Sequence, residues 1–349
     1  MKKIFHIASR FTPHVGGLEN MVLDLAQEQG KGNDVSVLTL DSGLRKIETE
    51  EMFGIKIYRY PAFATLSQNY LWPKSGFCER FAKRDFDIVF THTRFFITSF
   101  LAGRVAKKMG KKWIHVEHGA NFFQAKNIFV RILARIFDET FGKWVLKNAD
   151  KVVVLTKDGE RFVNRLGRKE NVFLIPNGVR IFPAQGAFPR KNKALFLGRA
   201  TAEKGIYELL EAAKECPEWG FSIVGENSSN LENTKNVYFY GELSRDKVRQ
   251  KITKSSLLLS PSLGEGFGLT VLEAAVLSRP ILATAVGIAP EILDAEFLIP
   301  MENGKVLTKK IQELTGDFER MERVGKKNFE RAKKFNLEKM AKGYEKIII

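Results

Sequence analysis

Glu265 and Glu273 stand eight residues apart in PSLGEGFGLTVLEAA, on either side of a glycine-rich turn. The apolar run LLLSPS leads into that turn, and helical periodicity begins near Gly268. The free amides of a helix start there make an anion site that needs no side chain. Glu265 then belongs to the loop. Glu273 lies one to two turns into the helix, where a carboxylate can accept hydrogen bonds from a sugar diol. The plain structural alternative is a capping carboxylate and a solvated helix face.

A second cluster is LGRATAEKG, residues 197–205, where Arg199 and Lys204 flank the loop between an apolar strand and the next helix. At a strand's carboxyl end a guanidinium and an ammonium can neutralise a diphosphate, Arg as a fork and Lys as a point charge. Near the N-terminus, Gly16 and Gly17 stand at another strand-to-helix turn, in PHVGGLEN. Adjacent glycines let backbone amides approach an anion, although a tight turn alone needs them equally. No GxGxxG follows any strand, which argues against a nicotinamide dinucleotide.

These clusters need elements to hold them. Apolar runs expected as strands fall at Lys3–Ala8, Val35–Leu40, Ile55–Tyr60, Ile88–His92, Trp113–Glu117, Val152–Thr156 and Val172–Ile175. Helical periodicity separates most of them, at Asn20–Gln29, Phe95–Met109 and Ile128–Leu146. The alternation restarts at ALFLG and continues through FSIVG, VYFYG, LLLSPS, PILAT and FLIP. Strands apolar on both faces and alternating with helices mean parallel sheets covered on each side. The expected fold class is α/β: two tandem doubly wound, Rossmann-like domains facing across a cleft. Their boundary falls in Pro176–Lys193, rich in proline and glycine. The expected division is a first domain over 1–180, a second over 181–334, and a C-terminal helix over 335–349.

At 349 residues the chain exceeds one ordinary core, in keeping with two domains. Its 56 Lys and Arg against 40 Asp and Glu give +16, which calls for a polyanionic partner. Residues 1–180 hold 30 Lys and Arg against 18 Asp and Glu, a net of +12, so the first half carries most of the excess. Cys78 and Cys216, the only cysteines, offer neither a disulfide framework nor a zinc site. No signal-peptide core or spanning apolar run is read, and a cytoplasmic location is expected.

The ordered set FTPHVGGLENMVLDLA, VEHG, ADKVVVLT, IPNGV, LGRATAEKG, VGE, GEGFGLTVLEAA and PEIL resembles the retaining GT-B glycosyltransferases of family 4. Glu265 through Glu273 match that family's E-x7-E signature. The resemblance spans nearly the whole chain and implies transfer of a sugar from a nucleoside-diphosphate donor with retention of configuration. It implies no required cofactor and no metal. It assigns His118 and Glu265 beside the transferred sugar and Glu273 to the ribose hydroxyls. Arg199 and Lys204 go to the diphosphate, with Gly16 and Gly17 near the donor phosphates and acceptor. Gly225, Gly266, Phe267, Gly268 and Leu269 complete the donor contacts. The resemblance makes 1–180 the acceptor-side domain and 181–334 the nucleotide-sugar domain, with the helix over 335–349 crossing back to the first. The expected acceptor is a glycan or a lipid-linked molecule, in cell-envelope polysaccharide or glycolipid synthesis. Departures from the family's glycines stand at Ser278, at Asn227 in Gly225-Glu226-Asn227, and at Ile288 after Gly287, all expected near the nucleotide and sugar contacts.

Two look-alikes carry less. Asp85-Phe86-Asp87 has the D-x-D form of a metal-nucleotide site but precedes its strand, at the amino end. His115 and His118, three apart, point to opposite faces of a strand and do not form a metal pair there.

Basic-aromatic stretches at Gln68–Arg84 and Lys126–Lys147 suit an anionic membrane. The second is expected instead to pack its apolar stripe on the sheet, leaving the first, with Tyr70 and Trp72, as the lipid or acceptor contact. The expected partners are therefore a nucleotide sugar, a glycan or lipid-linked acceptor and an anionic membrane at the inner face. No nucleic-acid motif appears. The competing function is a catalytically silent nucleotide- or polyanion-binding module on the same fold.

Overall fold

The computed structural model describes residues 1–14, 16–64, 70–122, 128–182 and 187–348. Val15 of the first glycine turn, Gln68 and Asn69, Lys126 and Asn127, residues 183–186 of the connecting stretch and Ile349 lie outside the described residues. The chain forms two compact units, Met1–Gly178 with Leu337–Ile349, and Val179–Asn336.

The first unit is built on β1 (Lys3–Ala8), β2 (Asp34–Asp41), β3 (Glu48–Met52), β4 (Ile55–Ala64), β5 (Leu71–Pro73), β6 (Ile88–His92), β7 (Lys112–Glu117), β8 (Lys151–Val154) and β9 (Val172–Leu174). They form one sheet in the order β3-β4-β2-β1-β6-β7-β8-β9, with β5 against β4. Only β3 and β5 pair antiparallel. Val89 and Phe90 of β6, and Trp113 and Ile114 of β7, are fully buried because helices cover both faces. Packing there is tight. A Cβ on Gly103, in the helix Ile97–Lys108, would lie 2.3 Å from the Trp113 indole, so only glycine fits.

The C-terminal helix Leu337–Ile348 belongs to this first unit, where it packs on the helix Gly17–Gly30. Tyr344 meets Phe90 edge-on at 5.9 Å. Lys2 and Lys151 donate to the carbonyls of Ile348 and Ile347 at 2.5 and 2.8 Å, closing the helix end with positive charge.

The second unit carries β10 (Lys193–Leu197), β11 (Gly220–Val224), β12 (Val237–Phe239), β13 (Leu257–Ser260), β14 (Ile281–Thr284) and β15 (Leu298–Ile299). All pairings are parallel, in the order β12-β11-β10-β13-β14-β15.

Four expectations are corrected. β3 and β5 were not foreseen: four of the five β3 residues are exposed and three are glutamates, so there is no apolar signal. Such charge suits the edge strand it forms, with Arg59 Nε donating to Glu50 at 2.8 Å. The helix expected over Ile128–Leu146 is interrupted by a π-turn at Asp138–Gly142, which turns Asp138 into the interior.

Nor does Ile128–Phe137 lay an apolar stripe on the sheet. Ala134 is its one buried residue, while Phe129, Leu133 and Ile136 are 74%, 66% and 54% exposed. In the first basic-aromatic stretch, Phe77 and Phe81 are instead core residues and only Trp72 is an exposed aromatic.

Candidate active site

In a doubly wound sheet the strand order reverses where two neighbouring strands send their chains to opposite sides, and the loops beyond their carboxyl ends part there. In the second unit that point lies between β10 and β13. Arg199 and Lys204 follow β10, Gly225 follows the adjacent β11, and Glu265 through Leu269 follow β13. Three loops whose residues are up to 70 positions apart therefore reach one edge of one sheet.

The two loops are joined by charge. Lys204 Nζ lies 2.7 Å from Glu265 Oε1, and the Ser262 hydroxyl donates to the same oxygen at 2.8 Å. Thr284 in turn donates to the Ser262 carbonyl, so β14 supports the carboxylate from behind. Backbone contacts draw the loops together, with Leu263 N–H on the Glu203 carbonyl at 2.9 Å. Gly205, at φ +75°, lies where a Cβ would stand 2.2 Å from the Pro261 carbonyl oxygen. Gly225 is held as closely against the Gly198 carbonyl. Arg199 is exposed, which leaves its guanidinium open to an anion.

The helix after the β13 loop runs Leu269–Ala275 behind Gly268, whose φ is +89°. Its ladder begins with Val271 and Leu272 N–H on the Gly268 carbonyl, so the preceding amides stand at the helix's positive end. Glu273 is partly buried on this helix.

The first unit has its own reversal, between β1 and β6. Gly16 and Gly17 lie beyond β1 at the start of the helix Gly17–Gly30; a Cβ on Gly16 would collide with the Glu19 carboxylate. His118 comes one residue after β7 ends, two strands from β1, and its ring is partly exposed.

Beneath His118 lies a buried ionic cluster that the sequence reading did not find. Arg94 donates to Glu117 at 2.8 Å, to Asp138 at 3.1 Å and to the Asn121 carbonyl at 3.1 Å. Its guanidinium also covers the Phe162 ring at 4.4 Å. Glu117 Oε1 accepts the Gly119 N–H at 2.7 Å, which fixes the turn carrying His118. Burial alone would raise the Glu117 carboxyl, but Arg94, His115 and the Gly119 amide outweigh it and hold it at about 2. Glu117 is thus ionised and can only accept. His115 must donate Nε2–H to it at 3.3 Å and accept on Nδ1 from Thr91, whose oxygen accepts the Trp113 indole N–H at 2.8 Å. Thr93 takes a left-handed φ of +65° just after β6, a strained position at the entry to Arg94.

The look-alikes are occupied otherwise. Asp85 pairs with Lys3, and Asp87 accepts the Lys3 N–H at 2.8 Å, at the amino ends of β1 and β6. His118 points to His92 while His115 points to Thr91 and Glu117. Among the described residues no group of three His, Cys, Asp or Glu could hold a metal ion. Ser278, expected near the ligand, stands instead after the helix Leu269–Ala275 and before β14, at the sheet's other end. Its φ of +57° explains why a glycine would suit that position.

Comparison with known proteins agrees with this architecture. Residues 180–331 match the glycosyl transferases group 1 family, and residues 15–181 match glycosyltransferase family 4. An uncharacterised glycosyltransferase of Methanocaldococcus jannaschii is 28% identical over 83% of both chains. GDP-mannose:cellobiosyl-diphosphopolyprenol alpha-mannosyltransferase of Xanthomonas oryzae pv. oryzae is 28% identical over 78% of this chain and 76% of its own. Among solved structures, sucrose-phosphate synthase from Thermosynechococcus elongatus superposes with a TM-score of 0.78 at 20% identity, covering 100% of this chain and 98% of that one. HepE of Anabaena, solved with UDP and glucose, reaches 0.78 at 15% identity, covering 100% and 99%. Matched in sequence over both halves and in fold along its whole length, the chain belongs to the family 4 (group 1) glycosyltransferases of GT-B fold.

Proposed function

We propose that this chain is a retaining transferase that moves a sugar from a nucleoside diphosphate to a glycan or lipid-linked acceptor, in cell-envelope polysaccharide or glycolipid synthesis. The observation that carries it is the Lys204–Glu265 pair at the strand-order reversal, where glycines let the loops pack backbone against backbone. In this reading Arg199, Lys204 and the amides near Phe267–Leu269 stabilise the diphosphate as its charge grows. Gly16 and Gly17 meet the donor phosphates, Gly225 and Gly266 contact the donor, and Glu273 takes the ribose hydroxyls. His118 and Glu265 hydrogen-bond the transferred sugar.

The bond from the anomeric carbon to the diphosphate oxygen breaks as the acceptor oxygen bonds to the same face of that carbon. The acceptor's proton passes to the departing phosphate oxygen. Trapping a glycosyl-enzyme ester on Glu265 would overturn this front-face course. The mannosyltransferase relative, whose name specifies a diphosphopolyprenol acceptor, supports the lipid-linked class. So does the solved HepE complex, in which the ligands are UDP and glucose, for the donor class.

The acceptor side is read as an anionic membrane at the inner face of the cell membrane. The exposed Phe129, Leu133 and Ile136 share a helix with exposed Arg131 and Arg135, and residues 1–180 carry +12. Apolar side chains that enter the interface beside cations that meet lipid phosphates suit such a surface, each cation contributing about 1 kcal/mol. Among the described residues no helix is long and apolar enough to cross a membrane, and the contact proposed is a peripheral one.

A screen of UDP-, GDP- and ADP-sugars for binding and slow hydrolysis tests the donor side, with Lys204→Ala and Glu273→Ala as controls. Neither substitution altering binding or turnover would remove the site. Vesicle pelleting with anionic and neutral lipid, with Phe129→Ser/Leu133→Ser alongside, tests the surface. Equal recovery with both lipids would remove the membrane.

A further inference from the structure

Behind His118 three histidine rings form one hydrogen-bonded file. His118 Nε2 lies 3.2 Å from His92 Nδ1. His92 Nε2 lies 3.0 Å from His6 Nδ1, and the two rings stack at 5.3 Å. His6 Nε2 lies 2.7 Å from Gln29 Oε1. Four elements supply the members: Gln29 from the helix Gly17–Gly30, His6 from β1, His92 from the end of β6, and His118 from beyond β7. His6, His92 and Gln29 are buried, so water cannot complete or interrupt the file.

Proton counting determines how the file behaves. Burial holds His6 and His118 down at about 4 and pushes His92 well below its ordinary value, so each ring carries one N–H at neutral pH. Three rings then bring three protons to three links. Every link is satisfied only when all protons point the same way along the file. With the Gln29 carbonyl facing His6, His6 donates Nε2–H to Gln29, His92 donates Nε2–H to His6, and His118 donates Nε2–H to His92. His118 Nδ1 is left with a lone pair. Turning the Gln29 amide over would reverse all three rings together and make His118 Nδ1 a donor. Gln29 Nε2 is buried without a hydrogen-bond partner, so reversal exchanges an orphaned N–H for an orphaned carbonyl and leaves the linkage intact.

We infer that Gln29, acting through His6 and His92, sets which ring nitrogen of His118 carries the proton. Gln29 is thus a positioning residue, remote from the sugar, that decides whether His118 accepts or donates a hydrogen bond there. The kinetic consequence rests on the proposed contact of His118 with the sugar; the tautomer itself is a property of the first unit alone.

Ring-nitrogen correlation spectra of the ¹⁵N-histidine-labelled full chain test this, and the sequence has only five histidines to assign. The expected wild-type result at neutral pH is Nε2–H on His6, His92 and His118 alike. Gln29→Leu, which has no polar end, should release His118 into a mixture of tautomers. Gln29→Glu, whose ionised carboxylate can only accept, should hold all three as Nε2–H. Three Nδ1–H rings in the wild type, converted together by Gln29→Glu, would support the coupling equally. Unlike tautomers on neighbouring wild-type rings would overturn it without any variant, as would an unchanged His118 in Gln29→Leu. Turnover should fall about 10-fold in Gln29→Leu and recover in Gln29→Glu, since a mismatched buried pair leaves both groups unsatisfied. A tautomer that moves while turnover stays constant removes the sugar contact and keeps the coupling.

Discussion

Lys204 Nζ and Glu265 Oε1 stand 2.7 Å apart, tying the loop after β10 to the loop after β13 where the strand order reverses. The side chains are 26% and 13% exposed, so the pair is shielded from full solvation yet open to a ligand. In the proposed function a diphosphate meets there a cation already fixed in place by its partner. The ordering of a long lysine side chain has then been met during folding rather than on binding.

Replacing Lys204 with alanine removes that cation and leaves Glu265 with Ser262 alone of these two partners. Hydrogen bonds to charged groups contribute about 1.5–3 kcal/mol, so nucleotide-sugar affinity should fall about 10- to 100-fold. Titration calorimetry with the preferred donor measures this. An unchanged dissociation constant would take Lys204 out of the donor site.

Arg94 is 3% exposed, between two fully buried carboxylates, Glu117 and Asp138. Arg94→Met strands both charges and should destabilise the first unit by about 3–5 kcal/mol. Arg94→Lys keeps a charge but loses the fork and should fall between. Chemical denaturation orders the three proteins. Because Glu117 also holds the Gly119 amide, turnover should drop with stability.

Acid should weaken the first unit through its histidines. His6 is held at about 4 by burial, against 6.5 for an unperturbed imidazole. As pH falls, the unfolded chain takes up the proton first. Stability is therefore full above about 6.5 and is lost progressively between about 6.5 and 4, His6 alone accounting for about 3 kcal/mol. His92 and His118 are displaced in the same direction. Urea midpoints at pH 7.5, 6.0 and 4.5 should descend in that order; a level series contradicts the assignment.

Ser278 has a left-handed backbone, φ +57°, that a side chain resists. Ser278→Gly relieves about 1–2 kcal/mol of strain and returns about half as added freedom in the unfolded chain. The expected gain is about 0.5–1 kcal/mol, read as a rise in Tm of about 2 °C. A lower Tm would mean that the serine side chain is doing something the backbone angle does not account for.

Local pattern was enough for much of this. Strands such as Ile88–His92 are apolar throughout because both faces are covered, and that leaves an unbroken run to read. The exposed glutamate strand Glu48–Met52 left no such run. The interrupted helix was misread because a π-turn inserts one residue into a helical repeat without changing its composition. Its apolar side chains looked like a core stripe, since sequence periodicity records that a helix has an apolar face and not what covers it.

Residue type and order by themselves determined the α/β class, the glycosyltransferase family and the residues at the ends of β10, β11 and β13, because those depend on short-range spacing and on signatures contiguous in the chain. Tertiary structure alone decided who meets whom. Lys204 finds Glu265 sixty-one positions away, and Arg94 finds Asp138 forty-four away. Gln29, His6, His92 and His118 make one file only because β1 lies beside β6 and β6 beside β7. Strand order is set by how the whole sheet buries its two faces, and no local stretch of sequence contains it.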